Sequence, residues 1–269
     1  MRKGEVLAYK LARPDGFDFY TGKMVQYRGE FPHVVKPPNA DAKLGICSSG
    51  VLHASLNPND CFVGAKMPCS AYRVRGIPAC GNAEKWGFTE LAILEEITDL
   101  DKLFGWRYSE VINPIHPFKL PKRIPTDEDM ALLKQWITVR ASVWATVRAS
   151  VGDSVWDTVR DSVWDSVWAT VWATVRDSVG DTVWATVWAT MRDSVWDTVR
   201  DSVWDTVWAY IGSLFPRVTK WKYINHKKCA YPFQSGVDLW KRGLVPSFDG
   251  KIWQLRSGEE AEVVWEGAP

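Results

Sequence analysis

Cysteine is scarce and irregular in this chain of 269 residues: there are five, an odd number, at spacings that make no paired framework. A secreted domain stapled by disulfides is therefore excluded, and reduced thiols in a cytoplasm or a virion are expected. Long apolar runs are missing too. No stretch approaches the roughly eighteen residues that a membrane-spanning helix needs, and the first ten residues carry no leader-like apolar core, so neither a membrane span nor secretion is expected. Excess charge of one sign is also absent. Lys and Arg number 33 against 32 Asp and Glu, which gives no chain-wide attraction for nucleic acid or anionic lipid. The chain has no phosphate loop, dinucleotide fingerprint, nucleophile elbow or Cys-x-x-Cys knuckle. Tryptophan, by contrast, is abundant at 17 residues, and 46% of the chain is apolar, enough to bury a core in one or two domains.

Ten of those tryptophans lie in one block. From Thr138 to Ala209 the chain is eighteen uninterrupted tetrapeptides of the form [Ser/Thr]-Val-x-[Ala/Asp]. The first slot is always Ser or Thr, and the second is Val except at Met191. The third holds ten Trp, six Arg and two Gly, and the fourth ten Asp and eight Ala. Trp, Arg and Gly codons interconvert at the first base of TGG, so the block reads as a twelve-nucleotide repeat expanded by slippage and then point-mutated. The third slot is thus expected to face solvent or a forgiving interface. Trp144, Trp156, Trp164, Trp168, Trp172, Trp184, Trp188, Trp196, Trp204 and Trp208, with Arg160, Arg176, Arg192 and Arg200, are the expected contact surface.

Two folds compete for the block. A β-solenoid, with each tetrad forming one side of a coil and Val pointing inward, suits β-branched and aromatic residues and an indel-free register. A long α-helical rod or hairpin is the alternative, started by Thr126 as N-cap with the acidic Asp127-Glu128-Asp129 turn. Helix propensity is mediocre throughout, a deficit of about 0.5 kcal/mol per residue. A four-residue period also rotates each stripe by about 40° per unit on a 3.6-residue helix, so no straight partner could follow the Val seam of a long rod. The solenoid is therefore the favoured expectation.

Residues 1–120 read as a small α+β domain, with strands at Glu5–Leu11, Met24–Tyr27, Gly50–Ala54 and Ala71–Val74. Residues 121–137 read as linker and capping helix, 138–209 as the repeat body, and 210–269 as a small α+β cap with a helix near Pro232–Trp240 and a hairpin turning at Ser257-Gly258.

Cys47-Ser-Ser-Gly50-Val-Leu-His53-Ala-Ser55, followed by Cys61-Phe62, resembles a Gly-[Leu/Phe]-His-x-[Ser/Cys] segment of uncharacterised phage and metagenome proteins that place a small N-terminal domain before short, often pentapeptide-like, tandem repeats. The stretches Tyr231–Ser235 and Gly243–Gly250 resemble the same proteins. The resemblance covers about a third of the chain, implies no activity and leans toward a solenoid. The Gly-x-x-His-x-Ser strand is also similar to the nicotinamide-cradling strand of ADP-ribosyltransferases, which implies His53 and a later Glu, here Glu90, as contacts for NAD.

The four N-terminal cysteines, with His33 and His53, lack zinc-ligand spacing, so neither a metal nor a cofactor is expected. Lys220-Trp-Lys-Tyr223 and His226-Lys-Lys228 form a small basic patch with interleaved aromatics, read mainly as a solvated face. The block itself carries six Arg against ten Asp, which argues against nucleic acid there. The expected function is a non-enzymatic structural or interaction protein of viral or mobile-element type, self-associating or docking a protein partner through the repeat. An NAD-binding enzyme and a single-stranded nucleic-acid binder are the alternatives.

Overall fold

The computed structural model describes residues 3–46, 48–82, 84–151, 166–194 and 204–268, which fall into two compact units. The first holds the chain up to Ile112 together with Asp181–Val187, and the second holds Asn113–Gly180 and Trp188–Pro269.

The first unit is built on strands β1 (Val6–Ala12), β2 (His33–Val35), β3 (Leu52–Ala54), β4 (Ser70–Gly76), β5 (Cys80–Gly81), β6 (Trp86–Phe88) and β7 (Leu91–Ile97). Four of them make an antiparallel sheet in the order β1-β4-β7-β2, and the other three make a smaller sheet in the order β3-β6-β5. A backbone bridge between Tyr9 and Ser55 ties β1 to the chain just after β3. Ala8, Tyr27, Leu52, Tyr72, Val74, Phe88, Leu91 and Ile93 close the core between them. Helices α1 (Leu100–Phe104) and α2 (Tyr108–Ile112) follow, with Asp99 capping α1 through the Lys102 N–H. Phe62, Phe104, Trp106 and Tyr108 form a second apolar cluster, and the Trp106 indole donates to Asn59 Oδ1 at 3.0 Å.

In the second unit, helix α3 (Asp127–Val151) begins at a reciprocal capping box: Asp129 N–H donates to Thr126 Oγ1, and Thr126 N–H donates to Asp129 Oδ2. Asp129 is buried and also meets Arg123 at 2.6 Å and Arg242 at 3.0 Å. Helices α4 (Ser166–Val179), α5 (Asp181–Ser194), which the unit boundary divides, and α6 (Trp204–Ser213) follow. Helix α7 (Gln234–Lys241) and an antiparallel sheet of β8 (Val245–Phe248), β9 (Trp253–Ser257) and β10 (Glu262–Gly267), in the order β10-β9-β8, complete the unit. The proline-rich stretch before α3 is packed against it: Ile115 N–H donates to the Tyr210 hydroxyl, the Trp240 indole donates to Ile115 C=O, and Phe118 is buried.

The repeat corrects the solenoid expectation. Every described tetrad lies in α-helix or at a helix end, and the strands belong to three small antiparallel sheets elsewhere in the chain. Three physical facts account for the difference. The block is interrupted at Gly180, between α4 and α5, so the seam need not stay aligned across that point: in α4, Val167, Val171 and Val175 are buried, and Val179, about 120° round from Val167, is half-buried. Burying one valine contributes about 1.5–3 kcal/mol, which offsets a propensity deficit of about 2 kcal/mol per tetrad. Finally, the slot-one hydroxyls satisfy themselves within the helix. Thr138, Thr146, Ser178 and Thr186 each donate to the carbonyl four residues back, at 2.7–3.0 Å. Two buried hydroxyls of the same slot have partners outside the helix: Thr206 donates to Pro246 C=O at 3.5 Å, and Thr174 accepts from the Lys222 N–H at 3.0 Å.

Gly180 ends α4. Its φ of 92° is left-handed, and its N–H donates to Arg176 C=O at 2.9 Å, the closing bond of a helix C-terminus. A Cβ placed there would meet nothing within 4 Å, so conformation alone selects glycine. Gly180→Trp, which installs the commonest residue of that slot, is therefore expected to cost about 1–2 kcal/mol in backbone strain. Urea denaturation would show this as a lower midpoint, and an unchanged midpoint would mean that the turn does not depend on glycine.

Candidate functional site

The first unit contains a cleft of about 290 Å³. Its walls come from four places: Lys10 and Leu11 of β1, Asp18–Tyr20 of the loop after it, His53–Ser55 at β3, and Asp60, Cys61 and Val63–Ala65 of the 3-10 segment, with Lys85 completing the lining. Asn57 caps the 3-10 segment by accepting from the Asn59 N–H, which fixes the entry of that wall.

A buried ion pair forms part of the lining. Lys10 Nζ lies 2.7 Å from Asp18 Oδ2 and 5.0 Å from the centre of the Tyr27 ring. Asp18 Oδ2 also accepts from the Tyr27 hydroxyl at 3.0 Å, while its other oxygen takes the backbone N–H groups of Tyr20 and Thr21 at 2.8 and 3.0 Å. Burial opposes the charge on Asp18, but Lys10 and those donors outweigh it and hold the carboxyl well below the usual range. Burial, and then the adjacent Asp18, push Tyr27 well above the usual phenol value. Four donors thus converge on one carboxylate, and Lys10 keeps donors beyond the one given to Asp18.

The reactive groups of the cleft are subdued. His53 Nε2 bonds to Ile46 C=O, which can only accept, so Nε2 carries the proton and Nδ1 is the acceptor. Burial first, then Lys85 and Lys10, pull this imidazole down to about 4. The Cys61 thiol donates to Tyr9 C=O at 3.2 Å, and burial pushes it up to about 11. Burial pushes Cys69 up to about 11 as well. A thiol so protonated is a poor nucleophile at neutral pH. At the rim, Tyr20 is 81% and Val63 54% exposed, so apolar surface surrounds a polar interior.

His53 therefore lines the cleft, but Glu90 does not. Its carboxylate pairs with Lys36 at 2.7 Å, and it is not among the lining residues. Among the described residues no group of His, Cys, Asp and Glu could hold a metal; Cys47 lies outside them. No described helix is long and apolar enough to cross a membrane.

The repeat tryptophans are placed unevenly. Trp168 stacks on Trp172 at 5.5 Å and meets Trp208 edge-on at 6.4 Å, while Trp188 stacks on Trp208 at 4.6 Å. Trp184 and Trp208 are buried, Trp204 is half-buried, and Trp144 on α3 is 36% exposed. The Arg176 guanidinium lies 4.0 Å from the centre of the Trp172 ring. Arg140 pairs with Asp205, joining α3 to α6 through slots three and four. Arg192 lies in α5, and Trp156, Trp164, Trp196, Arg160 and Arg200 lie outside the described residues.

Comparison with known proteins found no family model, no curated protein and no solved structure that matches this chain.

Two outcomes follow from the cleft's electrostatics. Lys10→Met keeps the side chain's bulk but leaves Asp18 buried without its cation, and is expected to destabilise the chain by about 3–5 kcal/mol. Adding Asp18→Asn should restore part of that loss, as read by urea denaturation. Because the His53 value is lowered, the folded chain binds fewer protons there than the unfolded chain does between pH 4 and about 6.5. Its contribution is complete above about pH 6.5 and is lost as pH falls toward 4. His53→Gln should flatten that limb of the stability–pH curve; an identical curve would remove His53 as its source.

Proposed function

We propose that this chain is a non-enzymatic interaction protein, in which the N-terminal unit recognises a small amphiphilic ligand and the repeat-built helices provide a structural body. The observation that carries this reading is the pairing of an open, apolar-rimmed cleft with reactive groups held in unreactive states. A general base works best with a pKa near the operating pH, and a nucleophilic thiol with a depressed one, and neither condition is met at His53 or Cys61. The same groups suit recognition. Tyr20, Phe19 and Val63 offer surface to an apolar ring, while Lys10, Ser55 and His53 Nδ1 offer donors and an acceptor to a polar head. The volume sits at the small end of the range of about 300–1,000 Å³ typical of ligand pockets.

Gly64 supplies the test. It lines the cleft, its backbone is in an ordinary region, and a Cβ there would meet nothing within 4 Å. Gly64→Phe is expected to fill the cleft with a stability change within about 0.5 kcal/mol. A panel of small aromatic acids, nucleosides and NAD, screened by ligand-observed NMR, should give binders to the full chain that Gly64→Phe abolishes. Binding that survives Gly64→Phe would place recognition elsewhere. NAD consumed at a measurable rate, and lost in His53→Ala with the fold intact, would overturn the non-enzymatic reading in favour of the enzyme.

A further inference from the structure

Between Asp205 and Asp238 the chain has no acidic residue, while Arg217, Lys220, Lys222, Lys227 and Lys228 fall inside that span. These cations lie in the connection between α6 and α7, residues 214–233, which contains no regular element. Connections longer than about 12–15 residues without structure of their own are uncommon in compact domains and are usually functional.

This loop is held in place rather than left loose. Trp221 is buried and meets the Tyr231 ring edge-on at 5.0 Å, and the Tyr231 hydroxyl donates to Ala209 C=O at 2.6 Å. Trp221 N–H donates to His226 Nε2 at 3.1 Å, so this ring must donate through Nδ1, which lies 3.0 Å from Lys227 C=O. The repeat supplies the remaining anchors: Lys222 N–H donates to the slot-one hydroxyl of Thr174 at 3.0 Å, and Lys222 Nζ pairs with the slot-four carboxylate of Asp177 at 2.5 Å. Lys220, Lys227 and Lys228 are exposed, and none of them pairs with a carboxylate among the described residues. Between them, Tyr223 sits at φ 59° and is 40% exposed. A left-handed tyrosine is costly backbone, and here it holds a half-open aromatic ring among unpaired cations.

We propose that this loop binds single-stranded nucleic acid, with phosphates neutralised by Lys220, Lys227 and Lys228 and a base stacked on Tyr223. Unpaired bases offer a ring face that a duplex keeps stacked, and aromatic planes interleaved with cations are the recurrent means of holding them. A lipid surface asks instead for apolar side chains turned outward, and the loop's one tryptophan is turned in.

The test uses the full chain and a fluorescein-labelled oligothymidylate, followed by anisotropy across a salt series. Three neutralised phosphates at about 0.7 each predict a slope near −2 for log K against log salt. The triple variant Lys220→Gln, Lys227→Gln, Lys228→Gln is expected to bind more than tenfold more weakly with a flatter slope. Tyr223→Ala should weaken binding about tenfold, and Tyr223→Phe should leave it unchanged, since the ring and not the hydroxyl stacks. Gly64→Phe should have no effect, which separates this site from the cleft. Absence of binding at low salt would overturn the proposal. So would equal affinity for duplex DNA or phosphatidylserine vesicles with Tyr223→Ala silent, which would leave an unselective anion patch.

Discussion

A period of four on a helix of 3.6 residues per turn governs the repeat region. Each unit carries its valine about 40° further round, so the apolar stripe serves a neighbour for two or three units and then turns away. A straight partner cannot follow that stripe along a long rod, and the block is interrupted at Gly180, between α4 and α5. Burial follows the rotation: Val167, Val171 and Val175 lie in the core and Val179 has begun to leave it. Stacking between Trp168 and Trp172 and between Trp188 and Trp208 then fills space that valine alone would leave.

Much of the local structure was legible in the chain. Thr126 and the acidic turn after it mark the start of α3, and the slot-two valines read as inward-facing. The strand near Ala71–Val74 forms β4. The helical nature of the repeat was not legible, for two reasons. Summed propensity treats every residue as exposed, whereas tertiary burial supplies most helical stability in proteins. The winding argument also assumed one uninterrupted helix. A sequence scan could have asked whether a Ser or Thr every fourth residue would bond to its predecessor's carbonyl, a local and computable signal.

The cleft shows the opposite balance. His53 stood out because of its flanking Gly and Ser, and it does line the cavity, while Glu90 was paired with it by analogy and is engaged by Lys36 instead. Lys10 and Asp18, which dominate the electrostatics, belong to no motif. They meet because β1 turns through the Asp15-Gly16 corner, where Phe17 and Gln26 form an isolated bridge that folds the loop back. Such a pair leaves no trace in spacing, and only the closed loop reveals it. Its cost and its benefit are of the same kind: a desolvated carboxylate is tolerated because four donors surround it, and removing any one exposes the expense of the others.

Gly180 carries one further implication. The codons for tryptophan and glycine differ by one first-position base, and glycine in slot three closes a helix without altering reading frame or register. A uniform array copied by slippage can therefore be divided into bundle-sized pieces by point mutation, with the places of division chosen after the copying is finished. A left-handed residue in slot three works as scissors that can cut such an array to a usable size.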